Sequence, residues 1–116
     1  ALITSHTLNS VDGTHAANIS VELVRIHQSS GAIIASDLND NDGRFSENIL
    51  LPVDASADSF ELVFQTGIYF KNQNLPLLGA SIMQEVVIRF TMPDPNGQYH
   101  MPLMLSPNSY SVWCSS

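Results

Sequence analysis

The sequence predicts an all-β sandwich or barrel, on two observations: apolar residues recur with a period of two, and turn-forming residues interrupt those runs at short intervals. Strands are expected near 2–8, 19–28, 32–37, 44–50, 60–65, 83–91, 99–106 and 110–114. The first carries His6 on the face shared by Leu2, Thr4 and Leu8. In the second, Ile19, Val21 and Leu23 share one phase, which then shifts to Val24 and Ile26. Such a shift predicts a bulge or a strand covered on both faces. Further on, Phe60, Leu62 and Phe64 alternate with Glu61, Val63 and Gln65, and Val86, Ile88 and Phe90 with Val87, Arg89 and Thr91. Near the end, Tyr99, Met101, Leu103 and Leu105 alternate with His100, Pro102, Met104 and Ser106. Strict alternation sends one set to the core and the other to the opposite face of a sheet. Asp12-Gly13, Asn41-Asp42-Gly43, Pro93 to Gly97 and Pro107-Asn108 supply the reversals. Only Tyr69 to Leu78 breaks the alternation; a short helix is expected there, ended by Pro76 or Gly79.

Composition narrows the function classes. A chain of 116 residues fits one domain, residues 1–116. Charged residues are only 13%, against about 25% in ordinary globular proteins. Because interface cores are depleted of charge, an oligomer is expected. The net charge of -7 argues against nucleic acid and anionic membranes as partners. No apolar run approaches the ~20 residues of a membrane span. No basic and apolar leader is visible, and Ser115-Ser116 is not a peroxisomal ending, so a cytoplasmic location is expected. A single cysteine, Cys114, rules out an intrachain disulfide. The sequon Asn18-Ile19-Ser20 is a pattern common by chance.

The candidate chemistry rests on few residues. By parity His100 lies off the Tyr99 and Leu103 core face, facing a cleft or an interface. A lone strand histidine is more often structural than catalytic, and Arg44 after Asp42-Gly43 could simply solvate a turn. His15 and His27 read as loop or strand-end residues without a role. Metal binding is poorly supported: there is no His-x-His pair, cysteine pair or His-Glu-x-x-His helix. Asp40 to Gly43 resembles part of a calcium loop, but Leu38 and Ile49 would fill its first and last ligand positions. No Gly-x-Ser-x-Gly elbow is present.

Tyr99-His100-Met101-Pro102-Leu103-Met104-Leu105-Ser106-Pro107, followed by Tyr110-Ser111, closely resembles the C-terminal signature of the transthyretin-related 5-hydroxyisourate hydrolases. Ile3 to Leu8 is similar to that family's first strand, Asp40 to Arg44 to its Asp-Gly-Arg turn, and Thr66-Gly67-Ile68-Tyr69-Phe70 to the start of its helix. The resemblance covers nearly the whole chain. It implies a transthyretin-like sandwich of two four-stranded sheets with one short helix. It also implies a homotetramer, a dimer of dimers, with sites in a channel between dimers and with no cofactor or metal. The implied activity is hydrolysis of 5-hydroxyisourate in urate degradation. The implied catalytic residues are His6, His100 and Ser116, and Arg44, Trp113 and Cys114 would contact the small-molecule substrate. A histidine near neutral pKa can deprotonate water, and a guanidinium offers a planar fork to ring oxygens and nitrogens.

The chain departs from the pattern at its end. Trp113-Cys114-Ser115-Ser116 stands where the family has Tyr-Arg-Gly-Ser, which removes one guanidinium and a glycine's backbone freedom. Gly13-Thr14-His15-Ala16-Ala17 replaces a Gly-Arg-Pro-Ala-Ala type turn, and Leu78 to Met83 replaces Phe-Phe-Pro-Glu. Three readings follow: a 5-hydroxyisourate hydrolase, a member recruited to another hydrolysis, isomerisation or cyclisation, or a small-molecule carrier.

Overall fold

The computed structural model describes residues 1–116, folded as two packed sheets. In chain order the strands are β1 (Leu2–Asn9), β2 (Ser20–His27), β3 (Ser30–Leu38), β4 (Arg44–Asn48), β5 (Ser59–Phe64), β6 (Val86–Thr91), β7 (Gln98–His100), β8 (Leu103–Ser106) and β9 (Ser109–Val112). The helix α1 (Thr66–Lys71) follows β5, and a 3-10 turn, Val53–Ala57, precedes it. One sheet has the order β4-β1-β8-β9, with β7 also on β1; the other is β3-β2-β5-β6.

The alternation does what the period of two predicts. Along β1, Ile3, Ser5, Thr7 and Asn9 are buried while Leu2, Thr4, His6 and Leu8 are half-exposed. Phe60, Leu62 and Phe64 of β5 are completely buried and meet Ile3, Tyr99, Met101, Leu103 and Leu105 from the facing sheet in one apolar core. Truncating a side chain such as Leu62 to alanine is expected to cost about 2–5 kcal/mol, transfer and cavity together. No helix is long and apolar enough to cross a membrane.

Three local expectations are sharpened or corrected. A bulge does lie at the phase shift, but in the partner strand: Leu23 faces Ala35 and Val24 faces Ile33, so Ile34 of β3 is the extra residue, while β2 pairs with β5 without interruption. The strand expected over 99–106 is divided into β7 and β8. Both run parallel to β1 in one register, Thr4 against His100 and Thr7 against Leu103, so it is one strand opened in the middle. Pro102 has no N–H to give the ladder, while Ser5 Oγ turns inward to donate to the Met101 carbonyl at 2.7 Å. Counted as one strand, β7 and β8 make the first sheet four-stranded.

The helix starts at Thr66, where the family resemblance puts it and three residues before the break in alternation, and it stops well before Pro76. Gly67 N–H donates to the Gln84 carbonyl at 2.9 Å, and a Cβ at Gly67 would collide with Gln84. The helix therefore begins where the chain can press against Gln84, at a residue without a side chain. The chain turns away at Asn72 and reaches a left-handed backbone at Asn74.

Candidate active site

The half-exposed face of β1 gathers the chemistry. His6 lies directly opposite Arg44 of β4, and Thr4 lies directly opposite His100 of β7. Side chains on one strand recur every second residue, so His6 and Thr4 stand side by side with Arg44 and His100 flanking them. The sequence-predicted trio His6, Arg44 and His100 thus shares one surface.

Each member is held by a specific device. Arg44 follows a turn in which Asp40 Oδ1 accepts the N–H groups of Asp42 and Arg44, both at 2.9 Å. Those bonds, the one from Arg44 first, hold the Asp40 carboxyl below its usual range. Gly43 has a φ of 73°, and a Cβ there would strike the Thr7 carbonyl, so no other residue closes this turn without strain. His100 is fixed from two sides. Its Nδ1 is 2.7 Å from Thr4 Oγ1, and its backbone exchanges hydrogen bonds of 2.8 and 2.9 Å with Ser115.

The structure adds two residues that the sequence reading left out. Thr4 orients His100, and its only signal was its parity with His6. His15, taken as having no role, places Nδ1 3.0 Å from His6 Nε2, the rings 5.1 Å apart and tilted by 33°. The contact joins β1 to the segment that folds back along it nine residues later, a relation no strand period reports.

The electrostatics favour a neutral His6. Loss of water, then the Arg44 guanidinium, then the His15 ring push its pKa below the ordinary 6.5, with the Asp42 backbone pulling the other way. Arg25 and Arg89 are tied to Asp58 and Glu61, whereas the exposed Arg44 guanidinium makes no ion pair. An unpaired guanidinium beside a neutral imidazole can bind an oxygen-rich anion while the imidazole takes a proton.

The altered ending lies along the opposite edge. Antiparallel pairing joins Leu103 to Val112 and His100 to Ser115 in one register, which sets Trp113 and Cys114 across from the break at Pro102 and Met101. Cys114 and Ser116 line a cavity of about 390 Å³ with Phe90, Pro93 and Tyr99, at the mouth between the sheets. Trp113 is 60% exposed. Within one chain, the structure does not bring Ser116, Cys114 or Trp113 together with His6 and Arg44. No cavity of the single chain includes His6, Arg44 or His100.

Comparison with known proteins agrees with this architecture. A 5-hydroxyisourate hydrolase of Pseudomonas aeruginosa is 32% identical over 114 residues, 98% of this chain and 90% of that one. A solved 5-hydroxyisourate hydrolase of Klebsiella pneumoniae superposes with a TM-score of 0.78 at 24% identity, covering both chains fully. Sea bream transthyretin in complex with thyroxine gives 0.80 at 22% identity, over 97% of this chain and 93% of that one. At such identities the two structures establish the fold. The model of the HIUase/Transthyretin family matches residues 3–114, and the chain belongs to that family.

Proposed function

We propose that the chain hydrolyses 5-hydroxyisourate. The observation that carries this reading is the unpaired Arg44 guanidinium directly opposite a neutral His6, with His100 one residue pair along the same face. In the reaction, His6 takes a proton from water and the oxygen attacks a ring amide carbonyl. Arg44 holds the oxyanion that forms. As the carbon–nitrogen bond breaks, His100 gives a proton to the leaving ring nitrogen, and the product is the ring-opened carboxylate. Thr4 Oγ1 engages Nδ1 of His100, which leaves Nε2 for substrate. The Pseudomonas relative's name supports this substrate.

We place the reaction in a homotetramer, a dimer of dimers. The His6 face is open in one chain and needs a roof to exclude water, and the low charged fraction of 13% suits extensive interfaces. In that assembly we assign Trp113, Cys114 and Ser116 to the substrate channel, Ser116 contributing its hydroxyl. A second reading rests on the exposed Trp113 and the arginine missing at Cys114: recruitment to a larger, less charged substrate. Three basic or titratable side chains on one face disfavour a carrier.

The test is decay of freshly generated 5-hydroxyisourate, followed by its ultraviolet absorbance, with His100→Ala alongside. Acceleration above the spontaneous rate, lost in the variant, is expected. A folded tetramer giving no acceleration would overturn the reading and direct the search to aromatic ring substrates.

A further inference from the structure

We propose that His15 is a positioning residue for His6, and that the pair shares a single proton across the facing His6 Nε2 and His15 Nδ1 atoms. The idea rests on the assignment of His6 as the base and extends it to a histidine that stands where the family pattern has proline.

The placement of His15 is built rather than incidental. At the turn before it, Asp12 Oδ1 accepts both the N–H and the hydroxyl of Thr14, at 3.0 and 2.6 Å. Gly13 takes the positive φ of 79° that this turn requires. The chain then folds back along β1, with Asn9 N–H donating to the Thr14 carbonyl and Ala16 N–H to the Thr7 carbonyl. Buried Asn39 holds the far side, its Nδ2 donating to the Ala16 carbonyl at 2.8 Å and its Oδ1 accepting Ile19 N–H at 2.6 Å. His15 thereby pairs with Leu8, diagonal to His6 on the same face.

A nitrogen–nitrogen contact of 3.0 Å admits one hydrogen. One ring donates and the other accepts, so the two rings cannot both be cations while the contact lasts. That constraint orients the His6 ring and opposes its protonation. The other groups facing His6 are Arg44 from β4, His100 from β7, and Asp40 and Asp42 from the turn. Arg44 and His100 act in the same direction as His15, and Asp40 and Asp42 oppose them.

The experiment follows the ring-proton resonances of His6 through a pH titration of the full chain, in wild type, His15→Ala and His15→Asn, beside turnover of 5-hydroxyisourate. In His15→Ala the His6 midpoint is expected to rise, the acid limb of the rate profile to rise with it, and kcat to fall by about tenfold, a part of the roughly 10²–10⁴-fold that a general base supplies. Asparagine sets an amide near the place of Nδ1, so His15→Asn should recover most of kcat. A His6 midpoint unmoved by His15→Ala overturns the pairing, whatever the turnover. A moved midpoint in a protein without turnover upholds the pairing and overturns the hydrolase reading instead.

Discussion

Two clusters in this molecule use the same ingredients and reach opposite ends. On β2, Arg25 and His27 converge on Asp58: Arg25 Nε donates to Oδ2 at 2.6 Å and His27 Nδ1 is 2.8 Å from Oδ1. On β1 and β4, His6, His15 and Arg44 stand together with no carboxylate among their partners. The nearby carboxylate of Asp40 gives its Oδ1 to the backbone N–H groups of Asp42 and Arg44 and forms no ion pair with the Arg44 side chain. Where a carboxylate is supplied, the guanidinium and imidazole become a clasp that ties β2 to the segment before β5. Where it is withheld, the guanidinium keeps its donors, and the His6 and His15 rings, bonded to each other through one nitrogen each, keep their other ring nitrogens for something that arrives from outside. In this fold the difference between a structural and a reactive cluster is one acidic side chain.

The comparison can be broken from the reactive side first. Removing the base or the acid, His6→Ala or His100→Ala, is expected to lower kcat by roughly 10²–10⁴-fold with the fold intact, read from progress curves and circular dichroism. Arg44→Lys keeps the charge but loses the fork; a weakening of about 1.5–3 kcal/mol in transition-state binding is expected, seen in kcat/KM. Ser46→Asp would turn the reactive cluster toward the structural kind. Ser46 is exposed, opposite Thr4 and two residues from Arg44 on the same face. Its carboxylate should raise KM several-fold, a charge-pair effect that weakens in salt. It should also raise the acid limb of the rate profile, which the lowered pKa of His6 is expected to hold below 6.5 in the wild type.

The structural side gives the smaller effect. Asp58→Asn should lower the thermal midpoint and leave turnover unchanged. Its hydrogen bonds, from His27 first and Arg25 next, hold the Asp58 carboxyl below its usual range. The stability this contributes is present above about pH 4 and is lost as pH falls through the lowered pKa; the variant should lose that acid limb from a plot of melting temperature against pH. His6 acts in a separate window. Its folded pKa lies below the ordinary 6.5, so the unfolded chain binds the proton first and stability declines as pH falls from about 6.5 toward the folded value. His6→Asn should flatten that segment.

Much of this was legible in the sequence because it depends on neighbours two residues apart. Period-two alternation reports which face of a strand is buried, and it assigned Phe60, Leu62, Phe64, Tyr99 and Leu103 to the core. It also put His100 off that core, and it grouped His6 with Leu2, Thr4 and Leu8, the face the structure leaves half-exposed. The phase shift in β2 marked the right place for a bulge, but the extra residue, Ile34, lies on β3, where no pattern marked it, and β2 itself is regular against β5. What escaped depends on contacts distant in the chain. The approach of Gly67 to Gln84, which fixes the start of α1, shows in no local pattern, and the Thr4–His100 bond spans 96 residues. The break in the late strand was within reach, since Pro102 announces a missing donor, but the alternation on either side concealed it.

The bulge in β3 has a consequence for handling the protein. β3 is an edge strand, exposed along nearly its whole length, with Ile33 at 60% and Leu38 at 56%. A flat apolar edge of this kind is a template on which further copies can stack as fibrils. The extra residue at Ile34 kinks the strand and interrupts the regular row of donors and acceptors that such stacking requires. Deleting Ile34 would leave every pair on either side in register and make the edge straight. The resulting chain should fold, and on storage at high concentration it should become turbid and bind amyloid dyes sooner than its parent. The irregularity is thus a safeguard of solubility over time, at a site far from the chemistry.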